Sequence, residues 1–153
     1  MLTRLALTKT ASVTPDQVRA ACNSSEFYYV LNDALGTQGA SAMHGGCRVV
    51  AEALQELLGG TIMAAVSNRG DDYDYSKPFV DHYVLDIGGG RYLDGDGIHS
   101  QHDIEYQSFG IPTDFRNLRL VEATHAIREW FGSTIWSSPA AVNAVADYID
   151  NYS

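Results

Sequence analysis

The sequence is poor in cysteine, proline and positive charge, and it has no long apolar run. Two cysteines, Cys22 and Cys47, stand among 153 residues, too few for a disulfide framework. No stretch reaches the roughly 18 consecutive apolar residues of a membrane-crossing helix. The opening MLTRLALTKTASVTPDQ has one short apolar patch, broken by Arg4 and Lys9, and lacks the apolar centre of a secretory signal. Ten basic residues face 19 acidic ones, a net charge of −9. Such a balance offers no basic cluster to follow a phosphate backbone, so neither nucleic acid nor a membrane is an expected partner. A cytoplasmic, reducing location is expected, where a special cysteine is reactive rather than cross-linked.

What remains is an ordinary globular composition, 45% hydrophobic and 19% charged, which excludes a disordered chain. It can support one core in a single domain over residues 1–153. Thr14-Pro15-Asp16-Gln17 reads as a helix start, with Thr14 as N-cap, Pro15 in the first position and Gln17 three residues on. That helix runs to about Cys22, and a second, capped within Asn23-Ser24-Ser25, passes Phe27, Val30, Leu31 and Leu35 to end near Gly36. Residues 36–46 form a glycine-rich loop. The clearest helix follows, CRVVAEALQELLGG, with Val50, Leu54, Leu57 and Leu58 on one stripe and Gly59-Gly60 as its stop. Cys47 falls in its first turn.

The period then changes. Residues 61–66 read as a short buried strand, 68–77 as an acidic loop, 79–87 as a β-branched and aromatic strand, and 91–94 as its return across Gly88-Gly89-Gly90. Beyond Gly97 the pattern weakens, with one further strand at 118–121 and helices at 123–131 and 140–148. Helices, a small antiparallel sheet, then helices define an α+β fold.

Three placements converge on chemistry. A cysteine opens a helix after a glycine pair, a histidine lies in a strand 35 residues later, and an aspartate ends the next strand. At a helix N-terminus the open N–H groups and the macrodipole favour a thiolate, and the same groups can hold an oxyanion. The glycines before Cys47 would let a substrate backbone come close. His82 can take the thiol proton and return it to a leaving amine, and a carboxylate can hold its ring in the useful tautomer. Alternation puts His82 on the face of Val80, Val84 and Asp86. A three-residue loop, Gly88–Gly90, would pair Ile87 with Arg91 and set Val84 opposite Asp94. Asp94 then lies one diagonal step from His82, and Asp96 opposite it if pairing continues. An odd loop is required, because a slip of one residue turns both aspartates away.

The segments GGCRVVAEALQELLGG and DHYVLDIGGGRYLDGDG, about a third of the chain, together resemble the papain-like and transglutaminase-like cysteine enzyme superfamily. The resemblance implies a papain-like fold with the nucleophile helix packed on the sheet, Cys47 as nucleophile, His82 as base and Asp94 as the orienting acid. It implies an amide or isopeptide bond of a protein or peptide as substrate, a thioester intermediate, and no cofactor or metal. Peptidase, deamidase, amidase and acyltransferase reactions all fall within it. Arg48 stands where papain-type proteases carry an aromatic residue, and Gln38 is the nearest candidate for the side-chain half of an oxyanion hole.

Other readings of the same residues compete. Cys47 continues the Val50–Leu54–Leu58 stripe, so it can be a small core residue, as Cys22 is expected to be. His44, Cys47, His99, His102 and Asp103 have zinc-like spacings. Asp94, Asp96 and Glu105 occupy three places of a calcium loop whose invariant glycine is missing. Trp130, Phe131 and Trp136 read as core or interface aromatics. A non-catalytic acidic protein that binds or inhibits a basic partner keeps the same fold, with Asp71, Asp72 and Asp74 on its surface.

Overall fold

The computed structural model describes residues 13–67, 79–107, 119–123 and 137–153. The acidic loop with Asp71, Asp72 and Asp74, the expected helix at 123–131 beyond its first residue, and Trp130, Phe131 and Trp136 lie outside these. Among the described residues the chain forms α1 (Pro15–Cys22), α2 (Ser25–Leu35), α3 (Cys47–Leu58), β1 (Thr61–Ser67), β2 (Phe79–Gly88), β3 (Arg91–Asp94), β4 (Gly97–His99), α4 (Gln101–Gln107), β5 (Arg119–Glu122) and α5 (Pro139–Asn151). The strands make one antiparallel sheet in the order β4-β3-β2-β1-β5. The fold is α+β.

The start of α1 follows its sequence signal only in part. Thr14 Oγ1 accepts from Gln17 N at 3.1 Å, but the Gln17 side chain does not turn back to complete a capping box. It donates instead to Ile149 O and Asp150 O at 2.9 and 3.2 Å, tying α1 to the last turn of α5. Ser24 is the N-cap residue of α2 without a side-chain cap bond. Its hydroxyl donates to Ala21 O and meets the Tyr148 hydroxyl of α5.

Alternation along the strands divides the core between the two sheet faces. Ile62, Ala64, Tyr83, Leu85 and Leu93 pack under α1, α2, α3 and α5, against Val18, Phe27, Leu31, Leu54 and Ile149. Ala65 and Val84 face the other way, with Ile104 of α4 and the partly buried Met63, Tyr92 and Leu120. The buried face of α3 is broader than the single stripe read from the sequence. Val49, Ala51 and Ala53 are buried beside Val50 and Leu54, while Leu57 and Leu58 are only partly so. A helix enclosed this widely has its N-terminus fixed in direction. Each large residue along it, such as fully buried Leu54, stabilises that placement by about 2–5 kcal/mol relative to alanine.

The β2–β3 hairpin has the expected register by a different route. Leu85 pairs with Leu93 and Asp86 with Tyr92, but at the tip Gly88, not Ile87, pairs with Arg91. A two-residue turn, Gly89-Gly90, and one bulged residue replace the three-residue loop. The parity is the same, so the side-chain faces are kept. A second irregularity lies at the other end of β2, where Ala65 pairs with His82 but Val66 with Val80. Asp81 is the extra residue. Consequently Val80 packs toward the α3 side while Val84 belongs to the α4 side, so His82 does not share a face with both as strict alternation implied.

Candidate functional site

The loop before α3 is held by a buried polar residue. Asn32 of α2, 6% exposed, donates to Tyr28 O at 2.8 Å and Ala40 O at 3.0 Å. Its Oδ1 accepts from Ala40 N at 2.8 Å and from the Thr37 hydroxyl at 2.9 Å. All four hydrogen-bonding positions of the amide are filled, and the loop is pinned to the helix. The chain then folds back through a turn in which Gly46 N donates to Ser41 O at 2.9 Å.

Gly46 has a different role from the one expected of it. A Cβ there would stand 2.6 Å from Ser41 O and 2.7 Å from Leu31 Cδ2. Its missing side chain is filled by the protein's own loop and α2, so at this position no room is left over for a substrate backbone. As the N-cap residue it also has no side chain to bond the helix end. The first intrahelical bond is Val50 N to Gly46 O, 3.0 Å, and the N–H groups of Cys47, Arg48 and Val49 precede it.

Cys47 is half-buried at this helix end. Burial works against its thiolate, yet the adjacent His82 ring and the backbone N–H groups of Tyr83 and Arg48 outweigh it and hold its pKa below the ordinary thiol value. His82, 1% exposed, donates from Nε2 to Asp94 Oδ2 at 2.9 Å. The carboxylate thus engages Nε2, while the ring as a whole acts on the Cys47 sulfur. Burial alone would lower the pKa of His82, but Asp94 and then Cys47 raise it to about 9. Burial likewise opposes the charge on Asp94, and hydrogen bonds from His82 and His99 override it, holding the carboxyl at about 2. His82 of β2 is thus hydrogen-bonded to Asp94 of β3 and acts electrostatically on Cys47 of α3.

Asp96 is placed elsewhere. The strand does not continue past Asp94. The chain turns at Gly95-Asp96 and Asp94 pairs with Gly97, so Asp96 never comes opposite His82. It is exposed and contributes its backbone, Asp96 N donating to Asp94 Oδ1 at 2.8 Å. Behind this turn the packing is close. A Cβ on Gly95 would fall 2.4 Å from Ala42 Cβ and 3.3 Å from Cys22 Cβ, and Asn23 Nδ2 donates to Gly95 O at 3.2 Å. The loop that carries Cys47 and the turn that carries Asp94 therefore bear directly on each other.

One residue of the site was not assigned to it from sequence. His99 Nε2 donates to Asp94 Oδ1 at 2.8 Å, and the interaction raises the pKa of His99. Its place in β4 was the missing information, because residues 97–107 carry weak periodicity and turn out to hold a three-residue strand and a seven-residue helix. Gln38 lies exposed at the start of the loop, lining a cleft of about 640 Å³ with Tyr28, Tyr29, Asn32 and Thr37. The zinc and calcium groupings do not assemble. Among the described residues no cluster of three or more His, Cys, Asp or Glu is arranged to hold a metal ion. His44 and His102 are exposed, and Glu105 Oε2 accepts from Leu120 N at 3.0 Å.

Comparisons with family models, curated proteins and solved structures find no match for this chain.

Proposed function

We propose that the protein is a thiol-dependent amide hydrolase or acyltransferase of papain-like or transglutaminase-like character. In this reading Cys47 is the nucleophile, His82 the base and Asp94 the residue that orients it. The observation that carries it is a buried imidazole hydrogen-bonded to a buried carboxylate and lowering the pKa of the helix-opening thiol. The thiolate attacks the carbonyl carbon of an amide or isopeptide bond in a protein or peptide, forming a C–S bond and a tetrahedral oxyanion beside the N–H groups at the start of α3. Collapse breaks the C–N bond. The His82 imidazolium gives its proton to the departing nitrogen, leaving a thioester on Cys47. Water, or an amine in an acyltransferase, then attacks the thioester with His82 as base, releasing the acyl product and the thiol. The sequence of steps needs no metal or redox cofactor. A reducing cytoplasm would keep the thiol available, and among the described residues no helix is long and apolar enough to cross a membrane.

The test is site-resolved labelling with iodoacetamide across pH, followed by mass spectrometry of a peptide pool for new amino termini and for deamidated side chains. Cys47 labelling with a depressed midpoint, and products that vanish in Cys47→Ala, are the expected result. Equal, ordinary midpoints for Cys47 and Cys22 would overturn the reading. An acidic binding protein, the reading that the net charge of −9 favours, predicts instead that Cys47→Ala leaves capture of a basic partner intact.

A further inference from the structure

The carboxylate of Asp94 serves two imidazoles, and the mechanism above uses one. Oδ2 accepts from His82 at 2.9 Å. Oδ1 accepts from His99 Nε2 and from Asp96 N, each at 2.8 Å. A carboxylate turns readily about its terminal bond. Held by His82 alone, it could offer either oxygen over a range of angles; two donors on Oδ1 remove that freedom. His82 and Asp94 are 1% and 2% exposed, whereas the His99 side chain is 23% exposed. The pinning group is therefore the member of the set that reaches solvent.

We propose that His99 is a positioning residue of this site, holding Asp94 through Oδ1 so that Oδ2 stays turned to His82 and the carboxylate stays ionised. The inference rests on the functional reading above only in taking Cys47 activation as its readout. His99 does not touch the sulfur. It acts through Asp94, as outer ligands orient the groups that hold a metal. Asp94 of β3, Asp96 of the following turn and His82 of β2 act on its ring, and Tyr92 is its cross-strand partner. Of the helices packed against β4, α1 carries Arg19 beside Gly97, and α4 carries His102, Asp103 and Glu105. Because Asp96 N remains on Oδ1 when His99 is removed, the effect is a weakening and not a loss.

The experiment is the pH profile of Cys47 alkylation in the full chain, read site by site, for the wild type, His99→Ala and His99→Gln. His99→Ala should raise the Cys47 midpoint by about one pH unit, about tenfold slower labelling below it, as expected for loss of one hydrogen bond to a charged group. Gln can place its amide N–H near the position of Nε2, so His99→Gln should stay within about threefold of wild type. A wild-type midpoint in His99→Ala, or an equal defect in both variants, would overturn the proposal. Imidazole ¹⁵N shifts of the wild-type protein decide the matter if the alanine variant does not fold. A neutral His99 must carry its proton on Nε2, and a proton on Nδ1 alone refutes the assignment. An ordinary midpoint for Cys47 in the wild type refutes the hydrolase reading instead, while the ¹⁵N result still judges His99.

Discussion

The two cysteines occupy opposite kinds of helix end. Cys22 is the last residue of α1 and Cys47 the first of α3. Helix C-termini gather carbonyl oxygens and the negative end of the macrodipole, and helix N-termini gather N–H groups and the positive end. The neighbours sharpen that contrast. Cys22 is buried and sees Asp94 and Asp96 directly, and desolvation followed by those two charges pushes its pKa up to about 12. Cys47 meets the same Asp94 through the His82 imidazole, which turns a repelling anion into support for a thiolate. One carboxylate thus suppresses one thiol and supports the other, and an intervening ring decides which.

The largest expected effect is on the thiol itself. Cys47→Ala should abolish amide chemistry, a loss of about 10⁴-fold or more, while leaving the fold intact, since the residue is half-buried. In the wild type at pH 7, Cys22 would be thiolate in roughly one molecule in 10⁵. Alkylation should then fall on Cys47 alone, and site-resolved mass spectrometry checks it. Comparable labelling of Cys22 would erase the contrast.

Next comes the carboxylate. Asp94→Asn keeps the shape but removes the charge, and it should slow turnover by on the order of 10³–10⁴-fold. Two shifts should move in opposite directions. The Cys47 midpoint rises because His82 loses its anionic partner, and the Cys22 pKa falls because a nearby negative charge has gone. If both thiols moved the same way, the account of a shared carboxylate would be wrong.

The pH dependence of stability reads the same groups without any substrate. Asp94 has a folded pKa of about 2 against 3.8 for the free side chain. A depressed carboxyl pKa gives stability that is present above the unfolded value and is lost as the pH falls through the folded one. It corresponds to about 2 kcal/mol, lost between about pH 4 and pH 2. His82 has the opposite sign. Its folded pKa of about 9 lies above 6.5, so its contribution is complete below about pH 6.5 and fades as the pH rises through 9. Denaturant unfolding at pH 3 and pH 6 should show the acid loss in the wild type and a smaller one in Asp94→Asn.

Much of this arrangement was legible in the sequence because it is local. The start of α3 is written in Gly45-Gly46-Cys47 and the stripe that follows, and the hairpin in its alternation and glycine tip. Strand parity placed Asp94 correctly although the turn itself was misread, because a two-residue turn plus a bulge shifts the register by the same count as three loop residues. The residues that escaped are the ones whose partners are distant or whose elements are short. Asn32 holds the loop across eight residues, and nothing in a helical pattern distinguishes a buried Asn from a solvated one. His99 depends on the short strand β4 that follows the turn at Gly95-Asp96, where the sequence pattern carries little periodicity. The role of Gly46 was misjudged for the same reason, since the neighbour that fills its side, Leu31, lies on another helix.

The smallest expected effect tests the suppressed thiol. Cys22→Ala removes a sulfur packed 3.6 Å from where a Cβ on Gly95 would stand, at the junction of α1 with the turn that carries Asp94. Trimming one buried atom should cost about 1 kcal/mol, read as a lower denaturant midpoint with an unchanged slope. The pH profile of Cys47 should stay in place, because Cys22 is a neutral thiol through the working range and carries no charge to lose. A small loop movement behind Gly95 would show instead as a displaced Cys47 midpoint. Those two readouts separate a sulfur that only fills space from one that sets the position of the Asp94 turn.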